Sequence, residues 1–180
     1  YHSTALAIGS IATRGSEQLR PLALKVLENT LEGEGLDSYA YYSAASAIRG
    51  IAMNDRAFIQ HSTPRALENA LEREGLDSNA YKEVANAIGE ITQKRPELIR
   101  PSTLSALETI MKEERIGNDI YMTIVGGIGN IAQNRADLFK EVYPFIRNLL
   151  AKGEEDHAIK IVRCIFSLSM AAIKTATGEN

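Results

Sequence analysis

Apolar residues recur along the chain at the spacing of one buried face of an α-helix. In residues 41–52 they stand three and four positions apart, and the same stripe returns at 81–92 and 121–132. No segment alternates with a period of two, so the pattern predicts helices and no strands. The predicted buried residues are Tyr41, Ala44, Ala45, Ile48, Ile51 and Ala52, then Tyr81, Val84, Ala85, Ile88, Ile91 and Thr92, then Tyr121, Ile124, Val125, Ile128, Ile131 and Ala132.

The stripe belongs to a repeat of 40 residues. AIGSIA at 7–12 aligns without gaps with AIRGIA at 47–52, AIGEIT at 87–92 and GIGNIA at 127–132. The block from Glu28 (ENTLEGEGLDSYAY) returns from Glu68 with 11 of 14 positions identical, and a diverged copy begins at Glu108. A shortened copy of the AIGSIA segment, CIFSLS, begins at Cys164. We therefore predict one repeat domain over 1–180, with a partial repeat at 1–16 and full repeats at about 17–56, 57–96, 97–136 and 137–174.

Each repeat is predicted to hold two helices. The first has apolar residues at i and i+4, and prolines in its first turn are tolerated because the N–H they lack has no partner there. Pro64 stands three residues further on, which predicts a bend or a late helix start. The predicted starts are near Leu19, Ile59, Ile99 and Phe139.

A short turn separates the two helices. Gly35 and Gly75 supply the left-handed conformation that ends a helix. The side chains of Asp37 and Asp77, or of the serines that follow them, are predicted to cap the second helix. In the third repeat Asn118 or Asp119 takes this role.

The second helices resemble those of HEAT repeats, whose pattern is close to A-x-A-L-G-x-L. This chain has ASAIRGI at 45–51, ANAIGEI at 85–91 and VGGIGNI at 125–131, and YPFIRNLL at 143–150 has the proline that HEAT first helices often carry. The family often has an Arg early in the second helix where this chain has Tyr41, Tyr81 and Tyr121. The resemblance implies an all-α, right-handed α-solenoid of about four helix pairs. Armadillo repeats, with a third short helix, remain the alternative.

The resemblance also implies that the second helices line a concave face, the surface on which such proteins bind partners. Positions of these helices outside the buried stripe vary between copies, whereas the buried positions do not. We therefore predict a scaffold that binds a protein or peptide. The predicted binding residues are Tyr39, Tyr42, Ser46, Arg49, Met53, Lys82, Glu83, Asn86, Glu90, Gln93, Met122, Asn130 and Gln133.

A second candidate surface is an acidic ridge. In the turn segments 28–38, 68–78 and 108–119, acidic residues outnumber basic ones by 12 to 3. Five glutamates lie near the end of a first helix, where the helix dipole disfavours negative charge, so capping does not explain them. The ridge consists of Glu28, Glu32, Glu68, Glu72 and Glu108. It either receives a basic partner segment or is a solubilising surface copied by duplication.

Composition argues against most other functions. A net charge of -3 gives no support to duplex binding, and no apolar run approaches the roughly 20 residues of a membrane span. His2, His61 and His157 form no metal-binding pair. We expect no enzyme, no cofactor and no metal. We also expect a cytoplasmic protein. The alternatives are a HEAT-like enzyme or nucleic-acid-acting domain whose decisive residues lie outside 1–180, since the chain opens within a predicted helix, or a spacer without a ligand.

Two local features have simple structural interpretations. Cys164 lies among apolar residues, which predicts a buried and inert thiol. The glycine-rich segment 126–130 belongs to a helical column, so we interpret its glycines as allowing close helix packing rather than as a phosphate-binding loop.

Overall fold

The computed structural model describes residues 7, 8, 10, 11, 18–54, 56–111, 118–138, 141, 143, 144, 146, 147 and 159. Its helices are α1 (Leu19–Glu32), α2 (Ser38–Asn54), α3 (Ser62–Leu71), α4 (Ser78–Lys94), α5 (Pro101–Met111) and α6 (Asn118–Asn134). Single 3₁₀ turns at Arg56–Phe58, Pro96–Leu98 and Ala136–Leu138 follow the even-numbered helices. The described part of the chain is all-helical, as the sequence predicts. The predicted helices of 139–174, and Cys164, fall almost entirely outside the described residues.

The prolines of the first helices set where those helices begin. Helix α3 begins at Ser62 rather than near Ile59, which places Pro64 in its first turn and confirms the predicted late start. Pro21 is the third residue of α1, and α5 begins at Pro101 itself. In each case the missing N–H falls among those that have no partner inside the helix.

The turn between the paired helices has the predicted chemistry. Gly35 and Gly75 have φ angles of 69° and 85°, which is the left-handed region. Asp37 accepts a 2.8 Å hydrogen bond from the backbone N–H of Ala40, and Asp77 accepts one of 2.8 Å from that of Ala80. The aspartates therefore cap α2 and α4. Residues 112–117 lie outside the described ranges, so the cap of α6 is not assigned.

Tyrosines tie the second helices to these turns. The hydroxyl of Tyr41 donates to the carbonyl of Gly33 at 2.5 Å, and that of Tyr81 donates to the carbonyl of Arg73 at 2.6 Å. Their rings are buried in the core. Tyrosine thus provides the side-chain bond from the second helix to the turn in both repeats.

The helices pack in two rows. The first helices contact one another in the order α1, α3, α5, and the second helices in the order α2, α4, α6. Each first helix also packs on the second helix of its own pair, so the core lies between the rows. Every predicted core residue of α2 and α4 is buried. In α6 Ile124, Val125, Ile128 and Ile131 are buried and Tyr121 is half-buried. The side chain of Ala132 lies outside the described part of the structure.

Candidate functional site

The predicted binding residues of α2 lie on its outer face. Tyr39 and Met53 are exposed, and Tyr42, Ser46 and Arg49 are half-buried. The rings of Tyr39 and Tyr42 stack with their centroids 5.8 Å apart and an interplanar angle of 25°. Helix α2 therefore presents an aromatic pair at its start and an apolar Met53 side chain near its end.

Most predicted residues of α4 and α6 are also accessible. Gln93 is exposed, whereas the other accessible side chains are half-buried because neighbouring second helices pack closely. The half-buried residues are Lys82, Asn86, Glu90, Met122 and Asn130. The side chain of Gln133 lies outside the described part of the structure.

Glu83 is the exception, and its assignment to the binding surface is wrong. It is buried because its position on α4 faces α2, and its carboxylate accepts hydrogen bonds from Arg49 Nη1 at 2.9 and 3.1 Å. The pair joins two neighbouring second helices. Glu83 therefore holds Arg49 in place rather than meeting a partner.

Other charges on this face are also paired within the chain. Lys82 Nζ lies 2.9 Å from Asp119 Oδ2, and the hydrogen bond from Lys82 holds the pKa of the Asp119 carboxyl below its ordinary value. Glu90 lies 3.9 Å from Lys94, one helical turn on. With these pairs satisfied internally, the face offers mainly amide, hydroxyl and thioether groups to a ligand.

A groove of about 320 Å³ runs between α4 and α6. Six predicted binding residues, from three different helices, line it. They are Arg49, Asn86, Glu90, Gln93, Met122 and Asn130, and the remaining lining residues are Ala85, Gly89, Thr123, Gly126 and Gly127. The structure therefore brings together in one concavity a set of residues that the sequence distributes over 82 positions.

Gly126 opens this groove. A Cβ atom built on Gly126 would meet no heavy atom within 4 Å, so the sequence-based interpretation of close packing is wrong at this position. Gly127 is buried, and a Cβ there would lie 4.0 Å from Leu107 Cδ1, an ordinary contact. One and two repeats earlier the column of Gly126 holds Asn86 and Ser46, so the side chain disappears where the groove forms. The sequence column shows that a side chain is lost at position 126, and the packing of α4 beside α6 shows that this loss leaves a groove.

The acidic ridge is not a continuous surface, because two of its five residues are buried. Glu28 is 3% exposed and accepts hydrogen bonds from Ser62 at 2.9 Å and Thr63 at 2.7 Å. Glu68 is 5% exposed and accepts hydrogen bonds from Arg100 at 2.6 Å, Ser102 at 2.9 Å and Thr103 at 2.5 Å. These glutamates join α1 to α3 and α3 to α5. We call the two sets the glutamate clamps.

The other ridge residues are more accessible. Glu32 and Glu72 are exposed and Glu108 is half-buried. Arg73 also reaches across this edge, where it donates to the carbonyl of Glu32 at 2.6 Å and lies over the ring of Tyr41. A row of unpaired acids ready for a basic partner is therefore not what the described residues form.

Over the described ranges, no three His, Cys, Asp or Glu residues are grouped so that they could hold a metal ion, and no helix is long and apolar enough to cross a membrane. His61 is exposed, and His2 and His157 fall outside those ranges. Comparisons of the chain with protein-family models, curated proteins and solved structures give no significant match.

Proposed function

We propose that the chain is a HEAT-like right-handed α-solenoid that serves as a protein-interaction scaffold, with the face of α2, α4 and α6 as its binding surface. The stacking order α1, α3, α5 and α2, α4, α6 supports the solenoid, since each helix contacts its counterpart 40 residues away. Solenoids of this kind use extended faces of successive repeats to bind partners.

The groove between α4 and α6 is the observation that carries this proposal. Gly126 and Gly127 lie in the interior of α6, where glycine costs roughly 1 kcal/mol relative to alanine. No neighbouring atom excludes a side chain at Gly126, so the fold does not require this glycine. An open groove lined by donors and acceptors provides a reason for its presence.

The groove favours a ligand without a strong net charge. Arg49 is offset by Glu83, and Glu90 lies near Lys94. Asn86, Gln93 and Asn130 each offer both donors and acceptors, and Met122 offers an adaptable apolar contact. A protein segment that presents uncharged polar and small apolar groups matches this lining.

The proposal is tested by filling the groove without disturbing the fold. Gly126→Gln places a glutamine side chain in the groove, and Thr109→Gln introduces the same side chain at an exposed site on α5. Partners are recovered from source-cell extract with each form of the chain, and the Kd of each purified partner is then measured with all three.

We expect Gly126→Gln to weaken binding by about tenfold or more, because the side chain occupies the space of the ligand. Thr109→Gln should bind like the unmodified chain, and circular dichroism should show both variants folded. Equal affinities for all three forms would exclude the groove as the binding site.

A further inference from the structure

The groove between α4 and α6 lies where the preceding pair of second helices has side chains bonded to each other. Between α2 and α4, Arg49 donates to Glu83 across the interface. One repeat later, three columns lose these groups, and all three positions line the groove. The columns run from Arg49 to Gly89, from Glu83 to Thr123 and from Asn86 to Gly126. The groove thus has the place of a long polar side chain and its partner.

The floor of the groove is recessed between the two helices. Ala85, Gly89 and Gly127 are buried and form this floor, whereas the polar residues around it are accessible. A Cβ atom built on Gly89 would lie 3.9 Å from Asn130 Nδ2, so the amide of Asn130 faces the space of the missing side chain. The recess therefore fits the end of a single side chain that enters from the outer face.

The polar groups around the recess have unused hydrogen-bonding capacity. Among the described residues, the carboxylate of Glu90 contacts only Lys94, at 3.9 Å, although the Glu90 side chain is 19% exposed. That distance is too long for a hydrogen bond, and a carboxylate so far buried favours a donor. Both bonds of Arg49 to described residues come from Nη1, which leaves Nε and Nη2 for a ligand. The Thr123 hydroxyl donates to the carbonyl of Asp119, so its oxygen accepts.

A carboxamide is the group that satisfies both Arg49 and Glu90. Its oxygen accepts from a guanidinium and its NH₂ donates to a carboxylate. A lysine or arginine side chain has donors only and would place a second cation beside Arg49, whereas a carboxylate would face Glu90. Methionine would leave Glu90 without a donor. Of the two carboxamide side chains, glutamine is the longer and can pass the half-buried rim to reach the floor.

We propose that the groove binds a glutamine side chain of the partner, with Arg49 donating to its carbonyl oxygen and Glu90 accepting from its NH₂ group. This inference rests on the proposed function, because it names the group by which a partner engages the same surface. The walls of the site are the described helices α4 and α6, which pack directly against each other.

Acetyl-glutamine-methylamide, which carries this side chain between blocked ends, is the probe. It is added to the ¹⁵N-labelled 180-residue chain, and the backbone N–H signals of Gly89, Gly126 and Gly127 are followed by NMR. We expect saturable shifts at concentrations on the order of 1–10 mM. The corresponding derivatives of methionine, arginine and glutamate should bind about fivefold or more weakly. The four probes share one backbone, so these differences report the side chain.

Two variants of the chain sharpen the test, and circular dichroism checks that both are folded. Gly89→Arg/Thr123→Glu rebuilds the Arg49–Glu83 pair inside the groove and should abolish binding of the glutamine probe. Glu90→Met should remove most of the preference for the glutamine over the methionine probe. No saturable shift with the glutamine probe, equal binding of the methionine probe to the unmodified chain, or binding that persists in the double variant would overturn the proposal.

The probe is measured without a partner, so its failure is distinguishable from failure of the scaffold proposal. Partners that lose affinity for Gly126→Gln, together with no binding of the glutamine probe, would overturn this inference and leave the scaffold function standing. Binding of the probe by a chain whose partners ignore Gly126→Gln would overturn both the proposed binding surface and the assignment of the glutamine to a partner.

Discussion

The two rows of helices are joined across repeats in different ways. Between first helices, the buried Glu28 and Glu68 each bind hydroxyl groups of the next repeat. Between second helices, small and β-branched side chains pack closely, and the ion pairs Arg49–Glu83 and Lys82–Asp119 lie nearer the surface. The row of first helices thus places charge in its interior, whereas the row of second helices keeps most of its charge at an accessible face.

This difference separates residues that maintain the stack from residues available to a partner. A buried carboxylate that loses its donors is costly, so each glutamate clamp enforces one alignment of neighbouring repeats. The second-helix row has room for variation on its outer side, as the column Ser46, Asn86, Gly126 illustrates. We therefore expect stability to depend most on the first row and binding on the second.

The largest effect is expected at Glu68. Glu68→Ala removes the acceptor of Arg100, Ser102 and Thr103 and should lower the free energy of unfolding by about 3 kcal/mol. Urea denaturation followed by circular dichroism measures this. Glu72→Ala, at an exposed position of the same helix end, should change it by less than about 0.5 kcal/mol. Similar losses for both variants would refute the distinction between clamp and surface glutamates.

The second-helix row should respond less. Arg49→Ala leaves the buried Glu83 without the guanidinium that it binds. This should lower the free energy of unfolding by about 1–2 kcal/mol. Lys82→Ala removes a more exposed partner and should have an effect near the limit of detection. The same urea titrations compare the two variants. A larger loss for Lys82→Ala than for Arg49→Ala would contradict the burial-based ranking.

Two glycines should respond in opposite directions. Gly126→Ala should stabilise the chain by about 1 kcal/mol, because alanine is a better helix former and its Cβ meets open space. Gly35→Ala should destabilise it by about 1 kcal/mol, because Gly35 has a φ of 69°. Thermal unfolding of both variants measures the two shifts. A destabilised Gly126→Ala chain would mean that the fold itself requires this glycine.

The smallest effect concerns acid sensitivity. Lys82 lowers the pKa of Asp119 in the folded chain, so the pair contributes stability above the unfolded pKa of about 3.9. That contribution falls as the pH drops through this value and on toward the lower folded pKa. The melting temperature of the Asp119→Asn chain should therefore fall slightly less between about pH 5 and pH 3 than that of the unmodified chain. A melting temperature that falls more steeply with acid in the Asp119→Asn chain than in the unmodified chain would contradict this expectation.

Local features were predictable because they depend on neighbours in the sequence. The buried stripe of α2 and α4, the caps at Asp37 and Asp77 and the turns at Gly35 and Gly75 all follow from spacing and backbone preference. Each of these features requires only residues within one helical turn or one tight turn.

The glutamate clamps were missed because their partners lie 32 to 35 positions away. Glu28 and Glu68 stand beside other acids, which favoured a surface interpretation. The available signal was that Ser62–Thr63 and Ser102–Thr103 recur at the same 40-residue spacing as the glutamates. The groove at Gly126 was missed for a related reason, since only the packing of α4 beside α6 reveals that its missing side chain leaves space.

Photocrosslinking tests most directly whether the second-helix face holds the partner. A photoreactive amino acid replaces either Gln93, which lines the groove, or Asn29, which is exposed on α1. Irradiation in source-cell extract should give a discrete crosslinked product from position 93, lost when Gly126→Gln is added, and none of the same mass from position 29. Crosslinking from position 29 alone, or a product from position 93 that persists with Gly126→Gln, would contradict the account.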